Sequence, residues 1–307
     1  MSEPVVAVIG NVNIDLIVRS ATVVPPPGQE WEVEAVDMRP GGAATNAGLA
    51  LAALGIPVRV VGAVGDDRFG GLLLDEFEAR GLGDLIGTIP GTATGVSIAF
   101  EAPERDRSFL IALGSLASFD RAMIPDAALR TRFLLSCGTF ALPKLRGAPT
   151  AEMLRTTRDA GGTTLLDTGW DPSGWPEEVR EEIMDLLPLV DVFLPNELEA
   201  TTLSGIADAE SATKVLQDRC GGWVVTKLGR NGCLAAGPRG EAHRVAAPAV
   251  VATDTTGAGD AFNAGLIAGL VHGMMFDGAL SLAARVASTV VTRSSDDRYP
   301  GPDELLA

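Results

Sequence analysis

The sequence predicts an α/β fold: a predominantly parallel central sheet flanked by helices, with a small β excursion near the N-terminus. Three observations carry this. The chain opens with a continuous apolar run over residues 4–10, of the kind found in strands buried on both faces. From Arg132 onward, short apolar runs alternate with helical stretches, the signature of βαβ units. Between these regions lie segments that alternate apolar and polar, which suits a sheet with one wet face. No internal repeat or low-complexity tail interrupts the 307 residues, so one large domain over 1–307 is expected.

After the opening strand, residues 14–18 and 31–36 read as strands with one wet face, separated by the loop Pro25-Pro26-Pro27-Gly28. Gly41-Gly42 opens an Ala/Leu-rich helix to about Leu54, stopped by Gly55 and Pro57. Residues 58–64 form a further buried strand, and Asp66-Asp67 a structural turn. Residues 95–101 and 108–113 read as a hairpin around the charged turn Pro103-Glu104-Arg105-Asp106. Apolar runs at 133–137, 163–166, 190–194 and 223–226 supply parallel strands, and long helical patterns follow at 257–273 and 277–292.

The 24 basic residues stand against 40 acidic ones, a net charge of −16, and only three of the basic residues are lysines. That balance excludes a nucleic-acid groove or an anionic-membrane surface, which need clustered positive charge. Three cysteines (Cys137, Cys220, Cys233) and two histidines (His243, His272) leave little room for a disulfide framework or a zinc site. No basic residue precedes Arg19, unlike a secretory leader, and the apolar stretch 261–276 is broken by glycines and His272. A cytoplasmic protein with reduced thiols is expected.

Common nucleotide motifs are excluded in turn. Lys144, Lys214 and Lys227 are each preceded by a residue other than Gly, so no P-loop is present. The turn Gly10-Asn11-Val12-Asn13 does not fit a dinucleotide fingerprint, and neither histidine lies near a G-x-S-x-G elbow. What remains is Asp254-Thr255-Thr256-Gly257-Ala258-Gly259-Asp260-Ala261-Phe262, between an apolar run and a long helix. Small residues let a ligand approach the backbone, and unpaired N–H groups at a helix start favour an anion without any lysine. Asp260, in the first helical turn, is placed to accept a proton from a hydroxyl nucleophile. The bland alternative is a tight turn with Asp260 as a cap.

Five further landmarks accompany this segment. They are Asn11-Val12-Asn13-Ile14-Asp15, Gly41-Gly42-Ala43-Ala44-Thr45-Asn46, the run from Val61 to Gly70, Asn196-Glu197-Leu198-Glu199, and Thr226-Lys227-Leu228-Gly229. In this order, from residue 10 to residue 262, the chain resembles the PfkB/ribokinase family of carbohydrate kinases. The resemblance implies a ribokinase-like fold, with ATP and Mg²⁺ needed to phosphorylate a hydroxymethyl group of a free sugar. It makes Asp260 the base and the amides of Gly257, Ala258 and Gly259 an anion hole. Asn13, Asp15, Gly42 and Asn46 would bind the sugar. Asn196, Thr226 and Gly229 would serve ATP, and Glu199 would serve Mg²⁺ through water. The β excursion, about 12–39 and 90–115, would be a lid, through which family members often pair as homodimers.

Three departures qualify this. Ala43-Ala44 stands where ribokinases usually carry Lys-Gly, and Gly138-Thr139-Phe140 lacks the acid often found there, which argues against ribose in particular. Asp254 and Thr256 are retained for a monovalent cation such as K⁺. Ser294-Ser295-Asp296-Asp297-Arg298, however, replaces the small Gly/Ala turn that helps to hold it. The alternatives are a nucleoside kinase, for which Trp31 and Phe100 would supply stacking, and a 2-keto-sugar-acid kinase, for which Arg105 or Arg107 would bind the acid. A non-catalytic relative would have lost Asp260 or the glycines. Lys227 reads as a salt-bridge former, and the tryptophans as core or rim.

Overall fold

The opening apolar run becomes a strand because both of its faces are covered. In the computed structural model, which describes residues 5–19, 26–101, 108–293 and 297–305, β1 (Val6–Ile9) lies inside a nine-stranded sheet with all its residues buried. In chain order β2 (Asn13–Arg19), β3 (Val36–Gly41), β4 (Val58–Gly65), β5 (Leu85–Ile89), β6 (Val96–Glu101) and β7 (Ser108–Ala112) follow. Then come β8 (Phe133–Cys137), β9 (Thr163–Asp167), β10 (Val192–Phe193), β11 (Trp223–Lys227), β12 (Cys233–Ala236) and β13 (Ala242–Val245). The helices are α1 (Ala43–Ala53), α2 (Arg68–Ala79), α3 (Asp126–Leu129), α4 (Ala148–Asp159) and α5 (Glu177–Leu186). They continue with α6 (Glu197–Ser204), α7 (Ala209–Cys220), α8 (Ala258–Val271), α9 (Phe276–Val290) and α10 (Pro302–Leu305).

The large sheet runs β13-β12-β11-β10-β9-β8-β1-β4-β5, parallel except where β12 and β13 turn back antiparallel at one edge. Alternate residues of β1 feed two helical layers. Val6 and Val8 join α1, α2, α8 and α9 in one core, whereas Ala7 and Ile9 join α3 to α7 in the other. Helix α8 is buried almost all round, as a helix at the centre of a core should be. A Cβ on Gly265 or Gly269 would stand 2.8 or 2.7 Å from the Cα of Ala283 or Ala279 on α9, so only glycine permits this approach. No helix among the described residues is long and apolar enough to cross a membrane.

A second, four-stranded sheet, β3-β2-β6-β7, corresponds to the expected β excursion. The expected strand over 31–36 is corrected: the strand is β3, and the chain before it is irregular, with Trp31 46% exposed. Pairing decides this, because β2 takes Val36 to Gly41 as its antiparallel partner, Asn13 opposite Gly41 and Val18 opposite Val36. Pro40, which has no N–H, is tolerated because β3 is an edge strand. Helix α2 and strands β5, β12 and β13 have no counterpart among the expected elements. Asp67 does cap α2, accepting from the Gly70 amide at 2.9 Å. Pro4, Pro25, the charged turn 103–106 with Arg105 and Arg107, and residues 294–296 lie outside the described residues.

Candidate active site

The parallel strands deliver their carboxyl ends to one edge of the sheet, and the chain winds outward from β1 in both directions, through β8 and through β4. Such a switch point leaves a crevice for ligands. Asn11 follows β1, Gly138 follows β8, Asp167 ends β9, Asn196 follows β10 and Lys227 ends β11.

On one side, short polar groups lock each other in place. Asn11 Nδ2 donates to Asn13 Oδ1 at 2.9 Å, and Asn13 Nδ2 donates to Asp15 Oδ1 at 2.9 Å. The Ala43 amide, at the start of α1, donates to Asn11 Oδ1 at 3.1 Å. Gly42 caps that helix at φ +96°, and a Cβ there would stand 2.2 Å from the Asn11 carbonyl and 2.7 Å from Asn13 Oδ1. Gly42 is thus required by the close approach of α1 to the β1–β2 turn, and Gly41 by the Asp15 side chain, 2.2 Å from where its Cβ would stand. Burial raises the Asp15 carboxyl above its ordinary value, against the pull of Arg39. Asn11, which the sequence marks only as a motif residue, joins the β1–β2 turn to α1.

Opposite these groups is the N-terminus of α8. Gly257 adopts the left-handed conformation at φ +74°, and a Cβ on it would lie 2.9 Å from Asn46 Nδ2. The Ala258 amide closes the turn onto the Thr255 carbonyl at 3.2 Å, while the Gly257 and Gly259 amides have no partner among the described residues. Asp260 Oδ2 accepts from Asn46 Nδ2 at 2.9 Å, and Tyr299 donates to Asn46 Oδ1 at 3.2 Å. The chain segments around Asn46 and Asp260, 214 residues apart, are therefore joined directly. Burial, and next the charge of Asp167, push the Asp260 carboxyl up to about 7.

Asp167 was not anticipated. Its Oδ2 accepts from Lys227 Nζ at 2.5 Å and from Asn263 Nδ2 at 2.6 Å, which ties β9, β11 and α8 together. The available signal was an acid at the carboxyl end of a parallel strand. Lys227 forms the expected salt bridge, and a Cβ on Gly259 would stand 3.5 Å from its ammonium, so the cation lies against the first turn of α8. Burial opposes the Lys227 charge, but Asp167 and Glu199 outweigh it and raise its pKa.

Asn196 and Glu199 form a capping box on α6: the Glu199 amide donates to Asn196 Oδ1 and the Asn196 amide to Glu199 Oε2, at 2.9 and 2.8 Å. Glu199 is buried rather than on an exposed helix start, and burial, then Asp167, push it up to about 7. Gly229 opens the turn after β11, with free space where a side chain would be. Thr226 is wholly buried, its hydroxyl 2.7 Å from that of Thr213, so its side chain supports the strand end. Among the described residues, no group of three or more His, Cys, Asp or Glu could hold a metal directly.

Asp254 and Thr256 are engaged otherwise than expected. Arg298 Nη1 donates to Asp254 Oδ2 at 3.0 Å, Arg298 Nη2 donates to the Thr256 carbonyl, and Arg39 pairs with the same Asp254 oxygen. Although burial opposes it, this pair of guanidinium groups holds the Asp254 carboxyl well below the usual range.

The family description "pfkB family carbohydrate kinase" matches residues 4–301. The chain is 26% identical to a ribokinase of Haemophilus influenzae over 97% of this chain and 96% of that one. It is 29% identical to an aminoimidazole riboside kinase of Salmonella typhimurium over 87% and 86% of the two chains. Among solved structures, a ribokinase of Thermotoga maritima superposes with a TM-score of 0.82 at 25% identity, covering 99% of this chain and 98% of that one. With its crevice, its paired glycines and Asp260 at the head of α8, the chain belongs to the pfkB family of carbohydrate kinases.

Proposed function

We propose that this chain is an ATP-dependent kinase that transfers the γ-phosphoryl group of ATP to a hydroxymethyl group of a free sugar. The observation that carries it is Asp260, a carboxylate raised to about 7 at the head of α8, beside the unpartnered amides of Gly257 and Gly259. Asp260 takes the hydroxymethyl proton as that oxygen bonds to the γ-phosphorus. The bond from this phosphorus to the bridging oxygen breaks, and ADP leaves with the electron pair. The charge on the transferring group meets the α8 amides, with that of Ala258 shared with Thr255, and Lys227 lies against the same turn. Asn13, Asp15, Asn46 and the Gly42 backbone hold sugar hydroxyls. Asn196, Gly229 and the strand end at Thr226 border the ATP side.

The acidic residues suit a hydrated Mg²⁺ bound with ATP. Glu199 and Asp260 both stand raised beside Asp167, with Lys227 as the near cation, so added positive charge would relieve their repulsion. Glu199 would hold the ion through water, and the ion would neutralise the phosphates. The four-stranded sheet serves as the lid that excludes water. Val36 and Met38 on β3 and Phe109, Leu110 and Ile111 on β7 are exposed, which suits pairing of two lids in a homodimer. Three free, buried cysteines fit a cytoplasmic protein.

Among the described residues, Arg39 and Arg298 beside the site are both committed to Asp254 and so are not open to a sugar acid, which favours a free sugar. The test is a panel of neutral sugars, nucleosides and sugar acids assayed for ADP release with ATP and Mg²⁺. Turnover is expected on a neutral sugar. Turnover confined to nucleosides or to sugar acids would replace the substrate, and binding of sugar and ATP without turnover would overturn the kinase reading.

A further inference from the structure

The turn that leads into α8 is fixed at several points. The Thr253 and Asp254 amides donate to the Val291 carbonyl at 2.8 and 3.2 Å, and the Thr256 amide donates to Asp254 Oδ1 at 2.9 Å. Arg298, only 5% exposed, completes the brace by donating to Asp254 Oδ2 and to the Thr256 carbonyl. A carboxylate oxygen and a backbone carbonyl beside an anion-binding turn are the hard oxygen donors that a monovalent cation would use. Here a guanidinium engages both.

The residues present therefore do not fit a bound K⁺ at Asp254 and Thr256. An incoming ion would have to displace a buried guanidinium and leave its charge uncompensated, which is costly. It would also meet the positive charge of Arg39 on the same carboxylate. A guanidinium offers what such an ion would, a permanent positive charge, and adds directed donors in a fixed fork. We infer that Arg298 is a built-in replacement for a monovalent cation: a positioning residue that holds the Asp254–Thr256 turn, and through it the amides of Gly257 and Gly259, so that the enzyme does not respond to K⁺.

This rests on the kinase reading for its rate measurement only. The intact protein and its Arg298→Ala and Arg298→Lys variants are compared in KCl, NaCl and choline chloride at equal ionic strength, for turnover of the best sugar and for melting temperature. For the intact protein, turnover and melting temperature should be the same in the three salts. Arg298→Ala should lose turnover about tenfold or more in choline chloride, the scale of a lost hydrogen bond between charged partners, and regain part of it in KCl. Its melting temperature should rise in KCl over choline chloride. Arg298→Lys should keep part of the activity without a K⁺ response. Activation or thermal stabilisation of the intact protein by K⁺ over choline overturns the inference, as does an Arg298→Ala variant fully active in choline. An equal loss in every salt would reduce Arg298 to a structural brace and also overturn it. If the alanine variant does not fold, a K⁺ response of the intact protein or of Arg298→Lys decides against it, and none decides for it. If no sugar is turned over, the kinase reading has failed, and the melting temperatures still decide the cation question.

Discussion

Asp260, the proposed base, owes its raised carboxyl to its surroundings. Burial and the neighbouring Asp167 lift it to about 7, so it can hold a proton that an ordinary aspartate would release. Asp260→Asn keeps the bond to Asn46 sterically possible but removes the acceptor of the hydroxyl proton. Turnover should fall by about 10²- to 10⁴-fold with ATP binding retained, read by steady-state kinetics and calorimetry. Since the base must be ionised, kcat/KM of the free enzyme should drop as pH falls below about 7. Asp167→Asn deletes a negative charge that raises Asp260, so the acid limb of that profile should move to lower pH. A limb that stays in place would show that Asp167 does not govern the base.

Among the elements, α8 carries both the site and the core. Its first turn presents Asp260, and its middle packs against α9 through Gly265 and Gly269, where added atoms meet backbone. Gly269→Val should cost about 1–3 kcal/mol by overpacking, seen as a lower midpoint in urea unfolding. An unchanged midpoint would mean that the two helices can separate freely. The strands from β8 onward were legible because each is an apolar run between helical stretches. Strands β12 and β13 were not: each is only four residues long, β13 is half exposed at the sheet edge, and their antiparallel turn-back depends on β11 as a template. The 31–36 segment shows the same limit, since its alternation is real but β2 pairs with the residues after it.

At the scale of the whole molecule, a net charge of −16 is compatible with the proposed binding of ATP, because the candidate site offers backbone amides and one buried lysine rather than a basic surface. Raised carboxyls also leave a mark on stability. Asp260 and Glu199 hold protons in the folded state that the unfolded chain releases near pH 4. Their favourable contribution is complete below that pH and is lost as pH rises through about 7. The ligand-free protein should therefore lose stability across this window, and Asp260→Asn should flatten the slope in urea titrations at a series of pH values. On the outer surface, Leu110→Asp should leave the melting temperature nearly unchanged and shift the sedimentation of a lid-paired dimer to that of a monomer.

The sequence by itself determined the α/β class, the exclusion of a P-loop, and the short polar groups and glycines gathered into the site. Those are local matters of apolar periodicity, residue type and steric freedom at Gly42 and Gly257. The tertiary structure decided what lies far apart along the chain. It set Asp167 against Lys227 and Asn263, turned Thr226 inward to Thr213, and carried Arg298 onto Asp254 and Thr256. No local pattern encodes these contacts, because each depends on which strand ends and loops the sheet order makes neighbours.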